Sequence, residues 1–191
     1  TGNQDLKRAG WYAALAAECK TDFVTPGLTF WYASGDDANA LDGSERMPVI
    51  DTDVALTSFG YDGGMYNRSS TFNGTDISGS WGIMAELKDI SFIEALSHAF
   101  RVAMVKGTNN TEMVRGGVVA RDAMGTVGNN MYLTTKDKLW EVNFDSQYKL
   151  YEGLTLAFEL GYIYLDADKE LWNDLYKENN FQAAFSVNYK F

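Results

Sequence analysis

The side chains that most often carry chemistry are scarce in this chain. It holds one histidine, His98, and one cysteine, Cys19. A zinc site of the HExxH kind needs two imidazoles one helical turn apart, so a lone histidine excludes it. A lone cysteine excludes an internal disulfide framework, a CxxC pair and any multi-cysteine metal site. No GxSxG, P-loop or GxGxxG occurs in the sequence. His98 therefore reads as an amphipathic side chain at an interface rather than a general base, and Cys19 as a small space-filler in a turn. The expectation is a protein that is not an enzyme and carries no cofactor.

Carboxylates are the one abundant reactive group. Asp and Glu number 26 against 16 Lys and Arg, a net charge of −10. Such acidity excludes nucleic acid as a partner, because phosphates need a basic surface. Residues 34–78 concentrate it, with eight acids against Arg46 and Arg68. Solubility is one account of that charge. Divalent-cation bridging to lipopolysaccharide, or attraction of cations to a channel mouth, is the other. The stretch DDANALD offers oxygens of the type calcium takes, with Asp36, Asp37 and Asp42 as the carboxylates, although its spacing fits no loop motif.

The elements that would position these groups are strands. In the last eleven residues, FQAAFSVNYKF, one alternate set is Phe181, Ala183, Phe185, Val187, Tyr189 and Phe191. The other set is Gln182, Ala184, Ser186, Asn188 and Lys190. Successive strand side chains point to opposite faces, so one face is apolar and the other polar. Over about ten residues this alternation is the signature of a transmembrane β-barrel strand. Six further segments carry it with varying clarity: 10–18, 23–33, 79–88, 97–106, 139–149 and 154–165. The regular part of 23–33 is expected to begin after Pro26, which has no N–H for a ladder. No apolar run approaches the roughly 18 residues of a membrane helix, so a membrane location would require a barrel.

The connections alternate in length. Short ones (19–22, 89–96, 150–153) separate long ones (34–78, 107–138, 166–180), which places every long loop at one end. Outer-membrane barrels are built this way, with brief periplasmic turns and long extracellular loops. IEAL within 89–96 suggests a helical turn, and VVARDAM within 107–138 a local strand or helix. In this orientation Trp11, Tyr32, Trp81, Trp140, Tyr164 and Phe181 fall at the extracellular strand ends, and Tyr148, Tyr189 and Phe191 at the periplasmic ends. Rings at both water–lipid boundaries form the expected aromatic girdle. The inward charges are then Glu18, Glu86, Glu141, Asp145 and Glu159 against Lys88, Arg101, Lys149 and Lys190. Glu86, Lys88, Arg101, Glu141, Asp145 and Glu159 are the candidates for lining a pore. Their role is either a solvated wall or a transverse field acting on solutes.

The terminal strand FQAAFSVNYKF, ending on Phe191, resembles the C-terminal strand by which outer-membrane proteins are recognised for assembly. The run VNFDSQYKLYEGLTLAFELGYIYLDAD resembles the penultimate strands and turn of general trimeric porins, especially those of sulfate-reducing bacteria. The likeness is good over 139–191, looser over 79–106 and poor in the long loops. It implies a 16-stranded homotrimer of the bacterial outer membrane, in contact with lipid and lipopolysaccharide, passing small hydrophilic solutes. It also implies that the main constriction loop belongs to the N-terminal half of the barrel.

Seven strands do not close a bacterial single-chain barrel, which has an even number. Residues 1–191 are therefore expected to be one all-β barrel domain that is the C-terminal part of a longer porin. Two other readings stay open: a non-channel barrel, structural or adhesive, whose interior is filled by large wall residues or by the 34–78 loop, and a soluble β-barrel that binds a ligand.

Overall fold

The computed structural model describes residues 7–39, 42–48, 54–61, 63–65, 77–112, 133–172 and 179–191. Seven antiparallel strands make one open sheet: β1 (Tyr12–Glu18), β2 (Thr25–Ala33), β3 (Ser80–Ile93), β4 (Leu96–Gly107), β5 (Lys138–Tyr151), β6 (Leu154–Asp166) and β7 (Asn179–Tyr189). Each strand pairs with its neighbours in sequence, and β1 and β7 are the edges. One short helix, α1 (Lys169–Trp172), follows β6. The VVARDAM segment lies outside the described residues.

All seven expected strands form, with altered ends. β2 starts at Thr25 and contains Pro26, whose missing N–H is tolerated at a strand start and whose carbonyl accepts Cys19 N–H at 3.0 Å. The largest correction is at 89–96. IEAL makes no helical turn: β3 runs on to Ile93, and only Glu94 and Ala95 form the turn, Ala95 with φ 65°. The pattern was hidden by a bulge, since Leu87 pairs with Phe100 but Ile90 pairs with His98. That leaves one extra residue on β3, which shifts its alternation by a step. Asp89 sits there at φ 57°, a left-handed conformation that Asp tolerates, and its Oδ2 accepts the Thr25 hydroxyl at 2.9 Å. The last strand ends at Tyr189 rather than Phe191.

Alternation sorts the sheet into two unlike faces. One carries Phe30, Ile83, Phe100, Trp140, Val142, Phe144, Phe158, Tyr162, Phe181 and Phe185, all exposed. Trp140 is 45%, Phe158 40% and Phe185 66% exposed, so none of these rings is packed in a protein interior. The connections 19–24, 94–95 and 152–153 define a turn rim, and 34–79, 108–137 and 167–178 a loop rim. Trp11 stacks on Tyr32 at the loop rim, 4.6 Å between centroids, and Tyr189 meets Phe191 edge-on at 4.9 Å at the turn rim.

The opposite face is not polar throughout. Its half toward the loop rim carries Trp31, Met84, Val105, Leu139, Ile163 and Leu165, and these form the core with Phe59, Tyr61, Ile77 and Leu133 from the long connections. Two strand glycines make the space. A Cβ on Gly82 would lie 2.3 Å from the Trp31 ring, and one on Gly161 would lie 2.5 Å from Phe59 Cβ. Above the core Asn109, fully buried, ties the loop bases together. Its Oδ1 accepts Asp36 N–H at 3.0 Å, and its Nδ2 donates to the Leu133 carbonyl at 2.8 Å. Gly82→Ala is expected to overpack this core and cost about 1–3 kcal/mol in equilibrium unfolding; a change within experimental error would contradict the packing described.

Candidate functional site

The charged residues that sequence reasoning placed along one face do lie together, but three of them are not open to water. Glu141, Asp145 and Glu159 are 0%, 3% and 4% exposed. What covers them is part of the long 34–78 connection, which turns back from the loop rim and lies on the sheet as a strap. The signal for it was present in the sequence. Val54, Leu56, Phe59 and Tyr61 interrupt an otherwise polar stretch, and all four join or flank the core.

Glu141 is the centre of attachment. Its Oε2 accepts the Thr57 hydroxyl at 2.9 Å, and its Oε1 accepts the N–H groups of Phe59 at 3.2 Å and Gly60 at 3.0 Å. Asn143 Nδ2, two residues along β5, donates to the same Oε1 at 2.8 Å. Burying a carboxylate costs several kcal/mol unless hydrogen bonds replace its water, and these four donors do so. Gly60 lets the strap backbone come this close, because a Cβ there would lie 2.4 Å from Glu141 Oε2. Two pleats further along β5, Ser58 donates to Asp145 Oδ1 at 2.9 Å. On β6, Glu159 Oε1 accepts the Met65 N–H at 2.5 Å.

From Asp145 the charges continue across the sheet as a ladder. Arg101 Nη1 reaches Asp145 Oδ2 at 2.5 Å, and its Nε lies 3.4 Å from Glu86 Oε2. Lys88 is 3.6 Å from Glu86 and bonds Glu18 on the edge strand. Of the six candidates for a lining wall, Glu86, Lys88 and Arg101 thus occupy the ladder, while Glu141, Asp145 and Glu159 hold the strap. Nearer the turn rim the same face opens into a cavity of about 400 Å³ lined by Gln147, Lys149, Tyr151, Glu152, Gly153, Thr155, Asn188 and Lys190. The lysines here have no ion-pair partner among the described residues.

The acidic loop is assembled differently from the expected Asp36, Asp37 and Asp42 set. The carboxylates of Asp37, Asp42 and Glu45 lie within 4.8 Å of one another. Asp36 is buried, and its Oδ1 accepts Glu45 N–H at 3.0 Å. Asn39 bridges the group, its N–H donating to Asp37 at 2.6 Å and its side chain to Asp42 at 2.8 Å. Loss of hydration, then the nearby Asp37 charge, pushes the Glu45 carboxyl above its ordinary value.

His98 lies on the apolar face near the turn rim, stacked on Phe144 at 5.4 Å and 2.8 Å from Ser146 Oγ through Nδ1. Ser146 had no assigned role in the sequence. The pair sits on β4 and β5, flanked by β3 and β6, with His98 opposite Ser146 and Ser146 opposite Phe158 in the ladders. It has no third, orienting acid among the contacts of the described residues. Cys19 is exposed in the first turn. No protein-family model, curated protein or solved structure matches this chain.

Two outcomes follow from the strap and the acidic turn. Glu141→Ala leaves the Thr57, Phe59, Gly60 and Asn143 donors without their acceptor and is expected to cost roughly 3 kcal/mol or more. Amide exchange at Phe59 and Gly60 should rise with it; unchanged protection at both would contradict the attachment. For Glu45, a raised folded value means its contribution to stability is complete below the ordinary value of 4.5 and is lost as pH rises through the elevated one. Glu45→Gln should therefore raise the protection factors of the residue-45 and Met47 amides at pH 7 and remove the part of their change with pH that follows Glu45 ionisation. Lower protection factors at pH 7 in this variant would reverse the sign.

Proposed function

We propose that this chain is part of a transmembrane β-barrel of the bacterial outer membrane, a porin-type channel for passive diffusion of small hydrophilic solutes and ions. The observation that carries the reading is the uncovered apolar face. It runs across all seven strands and is bounded at both rims by Trp and Tyr rings. A soluble protein rarely exposes contiguous apolar surface beyond a few hundred Å². Lipid covers such a face without a partner, and rings at two levels match two water–lipid boundaries. The gathering of every long connection at one rim supports the same orientation.

A barrel in lipid has no free edges. β1 and β7 each present one, so the reading requires further strands to join them, in a whole of about 16 if the porin resemblance holds. Trimer formation belongs to the same proposal. The polar face is then the lumen wall, with the Glu18–Lys88–Glu86–Arg101–Asp145 ladder across it.

One observation favours the non-channel barrel instead: the strap occupies the loop-side half of that wall. The two readings separate in planar bilayers. The full-length protein is expected to give stepwise conductance, and a silent bilayer would leave the plugged barrel as the better account. The membrane reading itself is tested by Phe158→Arg. A cationic side chain at mid-depth on a lipid-facing strand should cost about 2–4 kcal/mol in folding into vesicles. Lys149→Ala on the other face should change little; equal effects would contradict the assignment of faces.

A further inference from the structure

The strap alters the charge that the wall presents, and this has a consequence for what the wall attracts. Read from sequence, its acids outnumber its bases. In the folded chain Glu141, Asp145 and Glu159 are covered, their carboxylates occupied by Thr57, Ser58, Phe59, Gly60 and Met65. Glu86 and Arg101 offset one another, and Lys88 is held by Glu18 and Glu86. The exposed charges that line the recess at the turn rim are Lys149 and Lys190, with Glu152 contributed by the turn itself, while the exposed Glu18 and Asp89 lie farther across the sheet on β1 and β3.

These two lysines share one cavity. Lys149 lies opposite Thr155, and Thr155 opposite Asn188, so an ammonium, a hydroxyl and an amide line up across three strands. Gln147 adds a second amide one pleat away, and Lys190 approaches from the end of β7. Ammonium, hydroxyl and amide groups all donate hydrogen bonds, and two of them carry full positive charge. A volume of about 400 Å³ admits a small solute with part of its water.

We propose that the recess formed by Gln147, Lys149, Thr155, Asn188 and Lys190 is a binding subsite for small oxyanions such as phosphate, sulfate or carboxylate solutes. Resting on the channel reading, this makes the turn-side mouth favour anions although the chain as a whole is strongly acidic. The strap is the reason: it withdraws the acids that would otherwise repel such a solute.

The test uses the full-length protein, its parent sequence against Lys149→Gln/Lys190→Gln. Both lysines are exposed, so the fold should tolerate the change. In planar bilayers with a KCl gradient, removing two charges from the mouth should lower the chloride-to-potassium permeability ratio roughly threefold. Millimolar inorganic phosphate should reduce chloride current through the parent and not through the variant. An unchanged ratio together with equal phosphate sensitivity would overturn the subsite. If the parent carries no current, the channel reading fails separately, and the recess is read by ³¹P line width with protein in detergent. Phosphate should then broaden with the parent and sharpen with the variant; sharp lines with both would overturn the proposal.

Discussion

A strand repeats every two residues, and here that constraint is applied to seven strands in register, so all the large apolar side chains of one parity emerge on the same side. Leu28, Ala85, Val102, Val142, Tyr162 and Phe181 succeed one another from β2 to β7 through paired positions. Nothing in the described chain covers them. Burial of apolar surface stabilises by about 25 cal/mol per Å², and exposing this much of it to water would forfeit that stabilisation across the sheet. In the membrane reading proposed above, lipid takes the place of water along this face.

The other face meets the opposite problem, and the chain solves it internally. Its loop-side half is apolar and needs a cover, which the strap supplies with Phe59 and Tyr61 over Trp31, Leu139 and Ile163. The carboxylates of β5 and β6 then serve as anchors rather than as free charge. Tethering at the loop rim completes the arrangement. Asp137 Oδ2 accepts the Thr134 N–H and hydroxyl at 2.7 Å each and Trp172 Nε1 at 3.0 Å, so the end of the connection after β4 and the start of the one after β6 share one fixed point. Toward the turn rim no such cover exists among the described residues, and the face there is polar, with Lys149 and Lys190 exposed. One face of the sheet therefore has a filled half and an open half.

Much of this was legible in the sequence because it depends on short-range pattern. The facing of Trp140, Phe144 and Phe158 follows from parity alone, as does the alternation of short and long connections. The length of β3 did not follow, because the bulge at Asp89 changes parity midway and leaves IEAL looking like a helical turn. Val54, Leu56, Phe59 and Tyr61 marked a segment of the 34–78 connection that could fold inward, but its anchors were not legible. Glu141 and Gly60 are 81 positions apart, and a buried carboxylate that seeks backbone N–H groups leaves no periodic trace. The same holds for the acidic turn, where Asp36 points into the loop base and Glu45 takes its place beside Asp37 and Asp42. Composition identified the acids; only the fold distinguishes those that face water from those that hold the chain together.

The central claim is that hydrocarbon lies against Trp140 and its neighbours. It is tested most directly by fluorescence of a full-length variant in which Trp140 is the single tryptophan, reconstituted into vesicles of lipids brominated along the acyl chain. The account predicts strong quenching by the brominated chains and little by aqueous iodide. Strong iodide quenching with no effect of the brominated lipid, or a protein that stays monodisperse in buffer without detergent, would contradict it.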